Sequence, residues 1–230
     1  MMVCVAFLPG AMLFRGNRMR PVRIRGFIPV FLQIILVVQV SAAPEAPRWE
    51  EESFVGNTRY TITEQDGVEV IKGEAKGTAS LLYRRQQIDL QKTPVVSWRW
   101  KINDIYRHGI SEKSREGDDY PARIYVVVRN GWLPWQTLAI NYVWSSSGVK
   151  GDHWPSPYTE QSHMVAVDAG DARVGSWVAL KRDLVEDFKQ YFGEDVAELD
   201  GYAVMVDGDN TGSQGTAWFS AIRFHPRDEG

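Results

Sequence analysis

Val96-Ser97-Trp98-Arg99-Trp100-Lys101-Ile102 decides the fold class. Its residues alternate apolar and polar, so an extended chain sends Trp98, Trp100 and Ile102 to one face and Arg99 and Lys101 to the other. A helix would scatter the two indoles around its axis; a strand buries both against a second layer. The same period of two recurs on either side. Ile140, Tyr142 and Trp144 share one face, as do Trp218, Ile222 and Phe224. Each large aromatic buries about 150–250 Å², so these faces are expected to build an interior.

Towards the amino terminus, Arg59 to Thr63 and Val68 to Ile71 flank Asp66-Gly67, a hairpin signal. Further strands are expected at 79–83, 95–102, 122–128, 137–144, 163–167, 176–180, 201–206 and 217–224, separated by Gly, Pro, Asp and Asn. One helix is expected over 183–192. It opens with the Asp-x-x-Glu capping box at Asp183 and Glu186, carries Leu184, Phe188 and Phe192 on one face, and stops at Gly193. Long α/β crossovers are absent. The expectation is an all-β, single-domain antiparallel β-sandwich of jelly-roll type over residues 54–226.

The chain of 230 residues has a formal net charge of −3, one cysteine and nine tryptophans. Residues 1–42 hold five arginines and no acidic residue; an apolar run from Phe27 to Val40 and the small residues Ser41-Ala42-Ala43 come after the last arginine. That order reads as a signal peptide cleaved before Ala43, with translation starting at Met19. The apolar run reaches about 21 Å as a helix, short of a bilayer core of about 30 Å. A periplasmic or secreted domain, with no stable membrane span in the mature chain, is therefore expected. Residues 43–53 read as a Pro- and Glu-rich linker. From residue 43 onward the net charge is −8 and no cysteine remains. The acidic balance argues against nucleic acid as a partner.

Three groups of residues are candidates for chemistry. Gly117-Asp118-Asp119-Tyr120-Pro121-Ala122-Arg123 sets two carboxylates beside a guanidinium, as a polar ligand site or a buried brace. Asp207-Gly208-Asp209-Asn210-Thr211-Gly212 has the oxygen spacing of half a calcium loop, but Trp218 stands where an EF-hand has its glutamate. Asp207, Asp209 and Asn210 are its candidate ligands for calcium, and a tight hairpin turn is the plainer reading. Trp132, Trp135, Trp154 and Tyr158 lie in Gly- and Pro-rich segments, where exposed rings could stack on sugars or fold over the core. No Gly-x-Ser-x-Gly elbow, Walker loop or His-Glu-x-x-His is present.

Trp98-Arg99-Trp100, Gly117-Asp118-Asp119-Tyr120 with Ala122 to Val126, Tyr142-Val143-Trp144 and Asp207 to Thr211, in that order, resemble a bacterial secreted family, the domain of unknown function 3047. The resemblance covers about 54–224. It implies export and a single domain, and groups Asp118, Asp119, Arg123, Asp209 and Asn210 as one structural or binding set. It implies no reaction. The residues favour a non-enzymatic exported domain that binds a carbohydrate or cell-envelope polymer. An envelope hydrolase of glycosidase type using Asp118 or Asp119 is the first alternative, and a structural or protein-interaction module is the second.

Overall fold

In the computed structural model, which describes residues 47–129 and 137–228, the tryptophan strand becomes β5 (Val95–Ile102). It sits in a five-stranded sheet ordered β10 (Val178–Asp183), β5, β12 (Gln214–His225), β3 (Val68–Lys76), β2 (Arg59–Gln65). Facing it is a seven-stranded sheet ordered β1 (Glu50–Val55), β4 (Ala79–Asp89), β11 (Glu198–Asp207), β6 (Arg123–Arg129), β7 (Thr137–Ser145), β9 (Ser162–Ala169), β8 (His153–Pro155). The fold is the expected β-sandwich. Its core is where β5 meets β7: Trp98 stacks on Tyr142 at 5.4 Å between ring centroids, and Trp100 lies 5.9 Å from Trp144. All four rings are buried. Such aromatic pairs contribute about 0.5–1.5 kcal/mol each beyond the area they bury.

Local signals hold where a single backbone feature carries them. The β2–β3 turn has Asp66 and Gly67 both at positive φ (53° and 73°), as a two-residue hairpin of the primed type requires. Helix α1 (Leu184–Phe192) is capped by the Asp183 side chain, which accepts from the Glu186 N–H, and ends at Gly193 with φ 74°. The Glu186 carboxylate does not complete the box; it lies 3.9 Å from Arg227. Leu184 and Phe188 are buried under the sandwich.

Four expectations are corrected. The sandwich begins before residue 54, because Glu50–Val55 pairs with β4; the supposed linker ends inside a strand. The sheet is not wholly antiparallel, since β7 and β9 run parallel with β8 returning along the edge. Asp207 to Gly212 is no hairpin, because β11 and β12 belong to different sheets and the turn carries the chain between them. Trp218 is not in the core. Ala217 and Phe219 point inward, and Trp218 faces out beneath Lys101. A bulge between Ser220 and Arg223, with Ala221 at φ 51°, then resets the parity, so Ile222 and Phe224 still pack against the core.

The outer face of the seven-stranded sheet is itself covered. Tyr120, Val143, Trp154, Met164 and Ala166 form a second apolar cluster there, under the segment between β5 and β6. Buried Glu112 pins that segment, accepting from the Ser146 and Ser147 N–H groups at 2.6 and 3.2 Å, while its carbonyl accepts from the Tyr120 hydroxyl. Residues 1–46, with the expected signal and start site, and Trp132 and Trp135 lie outside the described residues. Among the described residues no helix is long and apolar enough to cross a membrane.

Candidate functional site

Arg123 opens β6 and Asp207 closes β11, on neighbouring antiparallel strands two residues out of register. That adjacency builds the site. Arg123 is buried and donates from Nε and Nη2 to the two oxygens of Asp207, a bidentate pair. Its Nη1 donates to Asp118 Oδ2 and to the Tyr125 hydroxyl, both at 3.3 Å, and its Nη2 also donates to the Asp118 carbonyl. The Tyr120 ring lies 4.4 Å beneath the guanidinium. Burial pushes the Asp207 carboxyl up, and Arg123 pulls against it.

Asp119, fully buried, is not the partner of Arg123. Its Oδ1 accepts from the Asn210 N–H at 3.2 Å; its Oδ2 accepts from the Thr211 N–H and hydroxyl at 2.7 and 2.5 Å. It therefore braces the turn between the sheets. Gly208 makes that turn possible, since a Cβ there would stand 2.3 Å from the Ser213 carbonyl oxygen. Asp119, Asp207 and Asp209 bring carboxylate oxygens within 4.8 Å of one another. The charge that balances them is Arg123. Asn210 turns its side-chain amide to the Arg115 carbonyl (2.5 Å) and the Tyr158 hydroxyl (2.9 Å). Of the expected calcium ligands, Asp207 has both carboxylate oxygens taken by Arg123, Asn210 is held through its Nδ2 group, and Asp209 is half-buried.

Asp118 differs from its neighbour. It is 6% exposed, its Oδ2 is held by Arg123, and its Oδ1 has no hydrogen-bond partner. Burial raises its carboxyl to about 6 against the pull of Arg123, with Asp119 and Asp209 adding to the rise. Asp118 lines a cleft of about 220 Å³ on the outer face of the seven-stranded sheet. The floor is Tyr125 and Val127 of β6, Ala139 and Asn141 of β7, Met164 of β9 and Met205 of β11. Tyr158, Thr159 and Gln161 form one wall; Asp209 and Asn210 stand at the acidic end. Asn141 donates to the Ser162 hydroxyl at 2.7 Å, but its Oδ1 also has no partner. The cleft thus combines apolar floor with two buried, unengaged acceptors.

Of the residues expected to bind a ligand, Asp118, Arg123 and Tyr158 line this cleft. Asp119 lies behind it as a brace. Trp154 is 7% exposed and packs against Tyr120 at 6.5 Å, so its ring is core rather than a stacking platform. Tyr125, Asn141, Gln161, Met164 and Met205 were not foreseen. Their signal was the complement of the core pattern. If Ile140, Tyr142 and Trp144 face inward, then Ala139, Asn141 and Val143 face outward, and a solvated face would hold charges there.

The profile of DUF3047, described as a protein of unknown function, matches residues 47–223. The chain belongs to that family. No curated protein matches it. Solved structures similar to it include a carbohydrate-binding module described as CBM4 (11% identity, 78% of this chain and 86% of that one, TM-score 0.33). Another is the xyloglucanase domain of NopAA, a type three effector from Sinorhizobium fredii, in complex with cellobiose (8% identity, 76% and 93%, TM-score 0.39). At such scores no ligand or reaction transfers, and the chemistry is read from this chain's own side chains.

Proposed function

We propose that this DUF3047 domain is exported and binds a segment of a neutral polysaccharide or envelope glycan in the cleft on its seven-stranded sheet. The observation that carries the reading is the pair of buried acceptors, Asp118 Oδ1 and Asn141 Oδ1, on a cleft floored by Ala139, Met164 and Met205. Unengaged buried acceptors select a ligand that brings donors. A floor of methyl and thioether groups selects one that also has apolar faces. A sugar ring offers both, with hydroxyls at its edge and C–H groups on its face. Gln161, Thr159 and Tyr158 supply further polar contacts along the wall.

The test is affinity electrophoresis of the full chain through gels containing neutral glucans, xylans or peptidoglycan fragments. Retardation by at least one polymer is expected, reduced by Asn141→Ala and by Gln161→Ala with the melting temperature unchanged. Migration unaffected by every neutral polymer would end this reading.

Hydrolysis is the second reading, and Asp118 is what favours it. A cleft carboxyl raised to about 6 is part protonated near neutrality, as a general acid must be. Asp209, also raised by burial, lines the same cleft. Release of reducing ends from a bound polymer, abolished by Asp118→Asn, would make the domain an enzyme. Binding without turnover leaves it a binding domain.

A further inference from the structure

The outer face of the five-stranded sheet, on the opposite side from the cleft, has a pattern of its own. Lys101, Trp218 and Lys72 lie directly opposite one another on β5, β12 and β3. Trp177, just before β10, extends this row on the far side of Lys101. The order across the sheet is therefore Trp177, Lys101, Trp218, Lys72. Lys101 lies 5.3 Å from the centroid of Trp177 and 4.3 Å from that of Trp218; Lys72 is 5.9 Å from Trp218, and Arg99 is 5.3 Å from Trp177.

The charges on this face are not balanced. Glu74 is already shared by Lys72 at 3.0 Å and Arg59 at 3.8 Å. Among the described residues Arg99, Lys101 and Arg223 have no carboxylate partner, although residues 43–230 carry a net charge of −8. An acidic domain that gathers unpaired cations on one sheet face, interleaved with indoles, has segregated its charge.

We propose that this row is a second binding site, and that it takes an acidic polysaccharide laid across the strands. Strands about 4.8 Å apart put Trp177 and Trp218 about 10 Å apart, the reach of two sugar rings in an extended chain. The half-buried indoles supply apolar contact beside the cations that rest on them, and Lys101 between them meets the carboxylate or sulfate of the intervening sugar. Arg99 and Lys72 flank that position. The surroundings favour a hydrated polymer over a lipid surface. Thr61, Thr216 and Ser220 border the row, and the exposed aliphatic residues Val55, Ile62, Ile110 and Val149 are not among them. A bilayer-docking face would present such side chains for insertion.

The experiment measures binding of the full chain to heparin and to polygalacturonate, with amylose, anionic lipid vesicles and single-stranded DNA in parallel arms. Binding to at least one acidic polysaccharide is expected, sulfated or carboxylated, which identifies the anionic group preferred. Affinity should fall on the order of tenfold or more as salt rises severalfold, because bound cations release counterions. Arg99→Glu with Lys101→Glu should weaken it at least tenfold. Trp218→Ala should weaken it with all charges in place, which a purely electrostatic patch would not show. Arg223→Glu alters an exposed residue that touches neither ring and should weaken binding in the same direction, so the outcome does not depend on how the tryptophan variant folds. Retention untouched by these reversals, or retention by vesicles or DNA with neither polysaccharide bound, would overturn the proposal.

Discussion

Arg123 is where the acidic end of the cleft is balanced. It is buried, and two aspartates, a tyrosine hydroxyl and an aromatic face converge on it. Removing one partner of a buried ion pair leaves the others unpaired, so Arg123→Leu should cost about 3–5 kcal/mol in urea unfolding. Arg123→Lys should recover little, because one ammonium cannot replace a fork that reaches Asp207 and Asp118 together. Arg123 also bears on calcium. With the Arg123 guanidinium on both Asp207 oxygens and the 210–211 turn on Asp119, millimolar Ca²⁺ should leave the melting temperature unchanged; a rise reversed by chelator would place an ion there after all. Asp118 gives a prediction with a sign. Its folded carboxyl, at about 6, lies above its ordinary 3.8, so the folded state holds the proton more tightly. Stability falls as pH climbs from about 4 through about 6, and the penalty persists above that. His163 works oppositely. Burial, with His153 beside it, pushes its imidazole down to about 4, so its contribution is present above about 6.5 and is lost as pH falls towards 4. The two slopes oppose each other in the wild type. Asp118→Asn should therefore be more stable near pH 7.5, by about 1–3 kcal/mol, and lose stability more steeply on acidification. A variant less stable than wild type at neutral pH would show that Arg123 needs the Asp118 charge more than burial resists it.

At the level of the element, β12 shows how a strand can defeat its own alternation. Reading 217–224 with a strict period of two makes Trp218, Ile222 and Phe224 one apolar face. The structure instead turns Ala217 and Phe219 inward, inserts one residue at the bulge, and then turns Ile222 and Phe224 inward. A bulge has no strong sequence mark when its left-handed residue is alanine rather than glycine, and Ala221 at φ 51° is such a residue. The conformation costs alanine about 1–2 kcal/mol and a β-branched side chain more. Ala221→Val should therefore lower stability by about 1–2 kcal/mol, whereas Ala221→Gly should hold or raise the melting temperature. Equal stability for valine and glycine would mean that the bulge is not needed to seat Ile222 and Phe224. By contrast, the β2–β3 hairpin and α1 were legible, because Asp66-Gly67, Asp183 and Gly193 fix their geometry within a few residues. β1 and β8 were not. β1 is mostly exposed at a sheet edge, and β8 is only three residues long.

Across the whole molecule, the charged run at 117–123 and the aromatic loop segment marked Asp118, Arg123 and Tyr158 as candidates, and local period was enough to read two layers and an aromatic interior. Which faces meet could not be read from it. Asp119 and Arg123 are close in the chain, but sheet order gives Arg123 to Asp207, 84 residues away, and gives Asp119 to the turn at 210–211. Asn141 becomes a cleft residue only because loops roof the outer face of the larger sheet. Net charge misled for the same reason. A balance of −8 describes the domain's average, yet the five-stranded face holds Arg99, Lys101 and Arg223 without carboxylate partners among the described residues. This segregation has a consequence for stability that is independent of any ligand. Arg223 lies opposite Ser97, and Arg99 is two residues further along β5, a diagonal distance of about 7–8 Å, so the two cations repel at low ionic strength. Arg223→Glu converts repulsion into attraction without disturbing buried contacts. Surface charges act within about 0.5 kcal/mol, and for a domain of this size that is about 1–2 °C in melting temperature. A small rise at low salt that fades as salt is added is therefore expected. A lower melting temperature at low salt would mean that the basic face is not under electrostatic strain and that its cations are balanced by the field of the acidic remainder.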